Sequence, residues 1–148
     1  MNTHPYLRAF LAGVFVPTLI LPIMLPVFLI VRYLFQPSFP VERGLIFPMS
    51  LIPAVWGLWN VLWKASNRGT HLSVGAHGAI LPLLLLPAGT LIATTLGILR
   101  LGPSGVTWFQ AIQAPYALIT PVFAAVLAAY YLVWKYAVGS INRTLGIA

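Results

Sequence analysis

Apolar residues dominate this chain so completely that the informative positions are the few that break the run. Charges fall singly at Arg8, Arg32, Glu42, Arg43, Lys64, Arg68, Arg100, Lys135 and Arg143. Between them lie the charge-free windows 9–31, 44–63, 69–99 and 101–134. A helix needs about 20 apolar residues to cross a bilayer, and every window reaches that length. The pattern predicts four transmembrane helices near 8–35, 44–66, 78–101 and 108–137. Turn residues fill the connectors "QPSFPVERG", "SNRGTHLSVGAHG" and "RLGPSG". The expected fold is an all-α integral membrane protein, a single transmembrane domain of four proline-kinked helices spanning residues 1–148.

The halves share letters. "GVFVPTLILP" (13–22) aligns without gaps on "GAILPLLLLP" (78–87), and "WKASNRGT" (63–70) is similar to "WKYAVGSINRT" (134–144). This points to two duplicated helical hairpins related by an axis along the membrane normal. The small alphabet of membrane helices offers chance as the other source of the likeness.

Proline is the second punctuating residue. Pairs five apart recur as Pro17 and Pro22, Pro48 and Pro53, and Pro82 and Pro87, and the last span carries Pro115 and Pro121. Each removes a helical donor and frees a carbonyl one turn earlier, which must find a partner inside the bundle. Thr18, Ser50, Thr90, Thr94 and Thr120 are placed to bond across helices. The kinks either open a cavity or only shape the packing.

Small residues four apart, Gly89, Ala93 and Gly97, form a ridge on the third span. Ala124 with Ala128 and Ala125 with Ala129 form two more on the fourth. Close backbone approach is what such ridges permit in lipid, so a tight contact between these two spans is expected. Trp56, Trp59 and Trp63 share one helical face and are expected to look out at lipid or at a neighbouring subunit.

With 60% hydrophobic and 6% charged residues, the chain could not clothe a soluble domain of its 148 residues. The net charge of +7 does not indicate nucleic acid, because the cations sit singly at span ends. Arg8, Lys64, Arg68, Lys135 and Arg143 on one side outweigh Arg32, Arg43 and Arg100 on the other. Positive residues stay inside, so both termini are expected in the cytoplasm, with the chain in the inner (plasma) membrane. Trp59, Trp63, Tyr130, Tyr131 and Trp134 form aromatic bands beside Lys64 and Lys135. The apolar opening segment is longer than a secretory signal core and is expected to remain as the first span.

The chemistry on offer is sparse. Without cysteine there are no disulfides, thiolate ligands or thiol nucleophiles. Glu42 is the sole carboxylate side chain, beside Arg43, which removes paired-carboxylate hydrolysis and carboxylate proton relays. In size the chain is similar to very small four-helix exporters, but those rely on an acid in the first span and none is present here. His4, His71 and His77 lack the spacing of a zinc site, and no cofactor is called for. Asn60 is the costliest uncharged group within a span. Gln110 and Gln113, with Arg43 and Arg100, form a candidate polar mouth on the far side for an anion or a headgroup.

These features favour a non-catalytic membrane module, either an accessory subunit or a self-associating scaffold. Its expected partners are membrane lipids and a homo-oligomer or larger membrane complex. A small oligomeric transporter or channel is the first alternative. A lipid-headgroup-modifying enzyme using His71 and His77 is the second.

Overall fold

A computed structural model describes residues 4–38, 40–44 and 46–147. The side chains at 41, 44, 47 and 67–70, which include Arg68 and much of the first "WK" segment, lie outside the described set. The chain is mostly helical: α1 Pro5–Leu34, α2 Val41–Gly44, α3 Ile46–Thr70, α4 Val74–Thr95, α5 Tyr116–Val133, a π-helical turn Trp134–Val138 and α6 Gly139–Thr144. Between α4 and α5 stand three short strands, β1 Leu99–Leu101, β2 Gly105–Trp108 and β3 Ile112–Pro115. Among the described residues, three helices are long and apolar enough to cross a bilayer: α1, α4 and the continuous run Tyr116–Thr144.

Local chemistry explains the boundaries. Pro5 opens α1, where its missing donor would have had no partner. Ser73 caps α4 by accepting from the Ala76 amide at 3.2 Å. At the other end of α4, Ile98 N–H donates to Ala93 O at 2.9 Å and Gly97 N–H to Thr94 O at 3.1 Å. With Gly97 at φ 69°, this is the Schellman arrangement that stops a helix. Gly97 therefore leaves the expected helical ridge and becomes the stop signal after it. The third span ends at Thr95, short of 101, and the fourth begins at Tyr116 instead of 108. Pro115 lies at the start of α5, outside the helix, and Pro48 falls in the first turn of α3, where a missing amide breaks no bond.

Residues 99–115 form an antiparallel meander in the order β1-β2-β3. Its register sets Leu99 beside Trp108 and Ile112, Arg100 beside Thr107 and Gln113, and Leu101 beside Val106 and Ala114. The β2–β3 turn places Phe109 and Gln110 at φ 49° and 60°, a left-handed pair without glycine.

The core sits at one end of the helices. Ala9, Ala12 and Pro17 of α1, Trp56 and Trp63 of α3, Leu81 and Pro82 of α4, and Trp134 and Val138 of the π turn are buried. The opposite halves carry their large side chains outward, as at Leu19, Ile23, Leu91 and Leu118. α1 packs along α3, and α4 along α5, and the buried side chains that the two hairpins share lie at one end. The tryptophan face expected to meet lipid instead lies in the core: Trp56 and Trp63 are buried, and Trp56 packs against Tyr130 and Trp134 at 5.2 Å between ring centres.

Glycine sets the closeness of each hairpin. A Cβ on Gly13 would run into the Trp56 carbonyl, and one on Gly78 into the Trp134 ring. A Cβ on Gly75 would lie 3.0 Å from side-chain atoms of Tyr131 and Lys135. Gly89 has open space around it, and Ala125 and Ala129 are exposed. The tight approach of α4 to α5 is therefore made by Gly75 and Gly78, and the expected ridge points elsewhere. The threonines also differ from expectation: Thr18, Thr94 and Thr120 bond carbonyls of their own helices at 2.8 to 2.9 Å.

Candidate functional site

Where the hairpins meet, the interior becomes polar. Asn60 on α3 and Asn142 on α6 are both fully buried. Each side-chain amide donates to the other's oxygen, at 2.8 and 3.0 Å. Asn60 Nδ2 also donates to Ala9 O at 2.7 Å, so this amide links α1, α3 and α6. A buried amide left unbonded is costly, and reciprocal pairing removes most of that cost on both partners.

At the preceding residue of α3, Trp59 and His77 form a second reciprocal pair. The rings stack at 4.4 Å, Trp59 Nε1 donates to His77 O at 2.8 Å, and His77 Nε2 lies 3.0 Å from Trp59 O. A carbonyl can only accept, so this geometry assigns the imidazole proton to Nε2. Trp63 Nε1 reaches Leu72 O at 3.3 Å, and the three hydrogen bonds together staple α3 to the start of α4.

Trp134 stands against Trp56 at 5.2 Å and against His77 at 6.2 Å between ring centres. Unlike Trp59 and Trp63, Trp56 and Trp134 have buried indole nitrogens with no hydrogen-bond partner among the described residues. Their value here is in ring area and shape. The π turn that begins at Trp134 widens the helix locally, a distortion often found at functional positions.

Beside this core, Pro5, Tyr6, Arg8, Lys64, Ala65, Gly146 and Ile147 line a cleft of about 290 Å³. Lys64 Nζ donates to the Ile147 carbonyl, tying the last described residues to α3. Outside it, Lys135 rests near the faces of Tyr131 and Tyr136, at 5.5 and 5.2 Å, a cation–π arrangement suited to headgroup level.

The structure scatters the other sequence candidates. Glu42 pairs with Arg32 at 2.8 Å instead of its neighbour Arg43, which is exposed, so the bridge links the end of α1 to the connector. His71 is exposed at φ 47° in the loop before α4, and His4 precedes α1. No group of three His, Cys, Asp or Glu side chains comes together among the described residues. Arg100 and Gln113 do share a row on the sheet, with Thr107 between them, whereas Gln110 sits in the β2–β3 turn and not on a helix.

Sequence reasoning missed Asn142, the partner on which Asn60 depends. The segment "GSINRT" continues the helix beyond 137, and an asparagine one turn from a glycine there was the available signal. The buried roles of Trp56 and Trp134 were missed too, because ring size alone does not say which way a face turns. Comparison with known proteins finds no matching family model, no matching curated protein and no matching solved structure.

Proposed function

We propose that this chain is a non-catalytic membrane module that works by assembling, with copies of itself or as an accessory subunit of a larger membrane complex. In this reading α3 is a fourth span beside α1. Its 25 residues extend about 37 Å at 1.5 Å each. Both termini lie in the cytoplasm of an inner-membrane cell, and the two hairpins descend from one duplicated unit. Gly13 and Gly78, matched in that duplication, each make room for an opposing tryptophan.

One observation carries the proposal. In the buried Asn60–Asn142 pair and in the Trp59–His77 pair the partners satisfy one another, while the small residues suited to helix association, Gly89, Ala125 and Ala129, face outward and uncovered. Native mass spectrometry after gentle extraction tests it. A defined oligomer or a retained partner chain, weakened in the Ala125→Leu and Ala129→Leu variants, is the expected result. A monodisperse monomer with no partner would overturn it.

An oligomeric transporter or channel is the second reading, favoured by hairpins whose shared buried core lies at one end and by prolines at 22, 53, 87 and 121 within the helices. Kinks there would let the outer halves move. Solute flux into proteoliposomes that falls in Pro22→Ala or Pro53→Ala would establish it. The headgroup-enzyme reading has weaker support, since His77 is engaged by Trp59 and His71 lies apart in its loop.

A further inference from the structure

The meander between α4 and α5 has two chemically distinct faces. Cross-strand partners project to the same side of a sheet and successive residues to opposite sides. The register therefore gathers Leu99, Leu101, Val106, Trp108, Ile112 and Ala114 on one face. The other face carries the row Arg100, Thr107 and Gln113. Leu99 and Val106 are buried, whereas Leu101, Trp108 and Ile112 on the same face remain 58%, 41% and 49% exposed. An apolar patch left this open in water is unfavourable, and the described chain covers the face at Leu99 and Val106 but leaves Leu101, Trp108 and Ile112 open.

We infer that this sheet lies flat in the headgroup layer of the bilayer, with Leu101, Trp108 and Ile112 turned into the acyl boundary and Arg100, Thr107 and Gln113 turned to water. The inference rests on the reading of α4 and α5 as spans. Depth follows from attachment. Tyr116, the first residue of α5, donates its amide to Ser104 O at 3.2 Å and its hydroxyl to Gly102 O at 2.9 Å. The sheet is thereby pinned at the level where α5 enters the membrane. Its exposed apolar side chains lie in sequence between the exposed apolar residues at the end of α4, Leu91, Ile92 and Leu96, and those that begin α5, at Leu118. That placement selects lipid as the occupant. Trp108 and Tyr116 are the residue types that settle at such an interface, with an apolar body and a polar tip. The sheet then acts as a float that sets how deep the second hairpin sits.

The absence of cysteine makes the test clean. Single cysteines at Leu101, Ile112, Arg100 and Gln113, all exposed positions, are labelled with an environment-sensitive fluorophore. Controls are placed at Leu91 and Leu118. The protein is reconstituted in phosphatidylcholine–phosphatidylglycerol vesicles with iodide equilibrated across the membrane. Period-two alternation is expected: quenching by iodide at least about threefold stronger at 100 and 113 than at 101 and 112, and the reverse order for doxyl-lipid quenchers. Iodide quenching at 101 and 112 equal to that at 100 and 113, with lipid-quenched controls, overturns the sheet's placement and leaves the spans intact. Shielding of 101 and 112 from both quenchers overturns it in favour of a protein covering. Iodide-accessible controls would sink the spanning reading and this inference with it.

Discussion

Asn60 and Asn142 form a pair in which, among the described residues, each member is the other's only side-chain partner in a buried setting. Replacing either by alanine strands an amide, and the expected cost is about 1–2 kcal/mol, the upper range for hydrogen bonds between membrane helices. The double alanine variant is expected to lose less than the sum of the two single changes, as read by a double-mutant cycle in detergent unfolding. Trp134 offers the opposite lesson. Its N–H bonds to nothing described while its ring fills the space beside Gly78. Trp134→Phe is expected to cost under about 1.5 kcal/mol and Trp134→Ala about 3–5 kcal/mol in the same assay. Asn60 was legible in the sequence because a lone amide in an apolar span must find a partner. Asn142 was not, because that partner comes from a helix extension with no comparable signature.

At the level of elements, charge-free windows made long helices readable, and three of the four expected spans correspond to helices long and apolar enough to cross a bilayer. The sheet was hidden by the same reasoning. An apolar run without charges looks helical when only its length is counted, yet "GVTW" and "IQAP" alternate with period two. Gly97 marked the boundary, but it also fitted the four-residue spacing of a packing ridge. The β2–β3 turn holds Gln110 at φ 60°, a conformation that suits glycine better than glutamine. Gln110→Gly is expected to stabilise the meander by about 1 kcal/mol, seen as slower amide exchange in residues 105–115. The Arg32–Glu42 bridge is solvent-exposed on both sides, so Glu42→Gln is expected to change detergent unfolding by less than about 1 kcal/mol.

Across the whole molecule, the hairpins share a buried core at one end, while the large side chains of their other halves face outward. Two discrete packing layers at the joined end, one around Trp63 and one around Trp134, hold them together. Spin labels at Ile30 and Ile92, on the outer halves, are expected to give a distance distribution at least about twice as broad as labels at Ala65 and Tyr136 near the junction. Equal widths would show that the outer halves are held as firmly as the inner ones. The arrangement was only half visible beforehand: the similar halves predicted paired hairpins, but which end would close depended on tryptophans whose direction no spacing rule decides.

The Asn60–Asn142 bond spans 82 residues of chain and so carries a clock. During synthesis at about 5–20 residues per second, Asn60 is made some 4–16 seconds before its partner amide. Through that interval Asn60 has the Ala9 carbonyl of its own hairpin to bond, while the positions that Asn142 later fills stay open to any other donor or acceptor nearby. The α3–α4 staple of Trp59 and His77 is available early, but the amide layer of the junction closes only when the last helix arrives, so that part of the core is a late and nonlocal event. A chain halted before Asn142 would keep the staple and still lack the amide pair that ties α6 to α3.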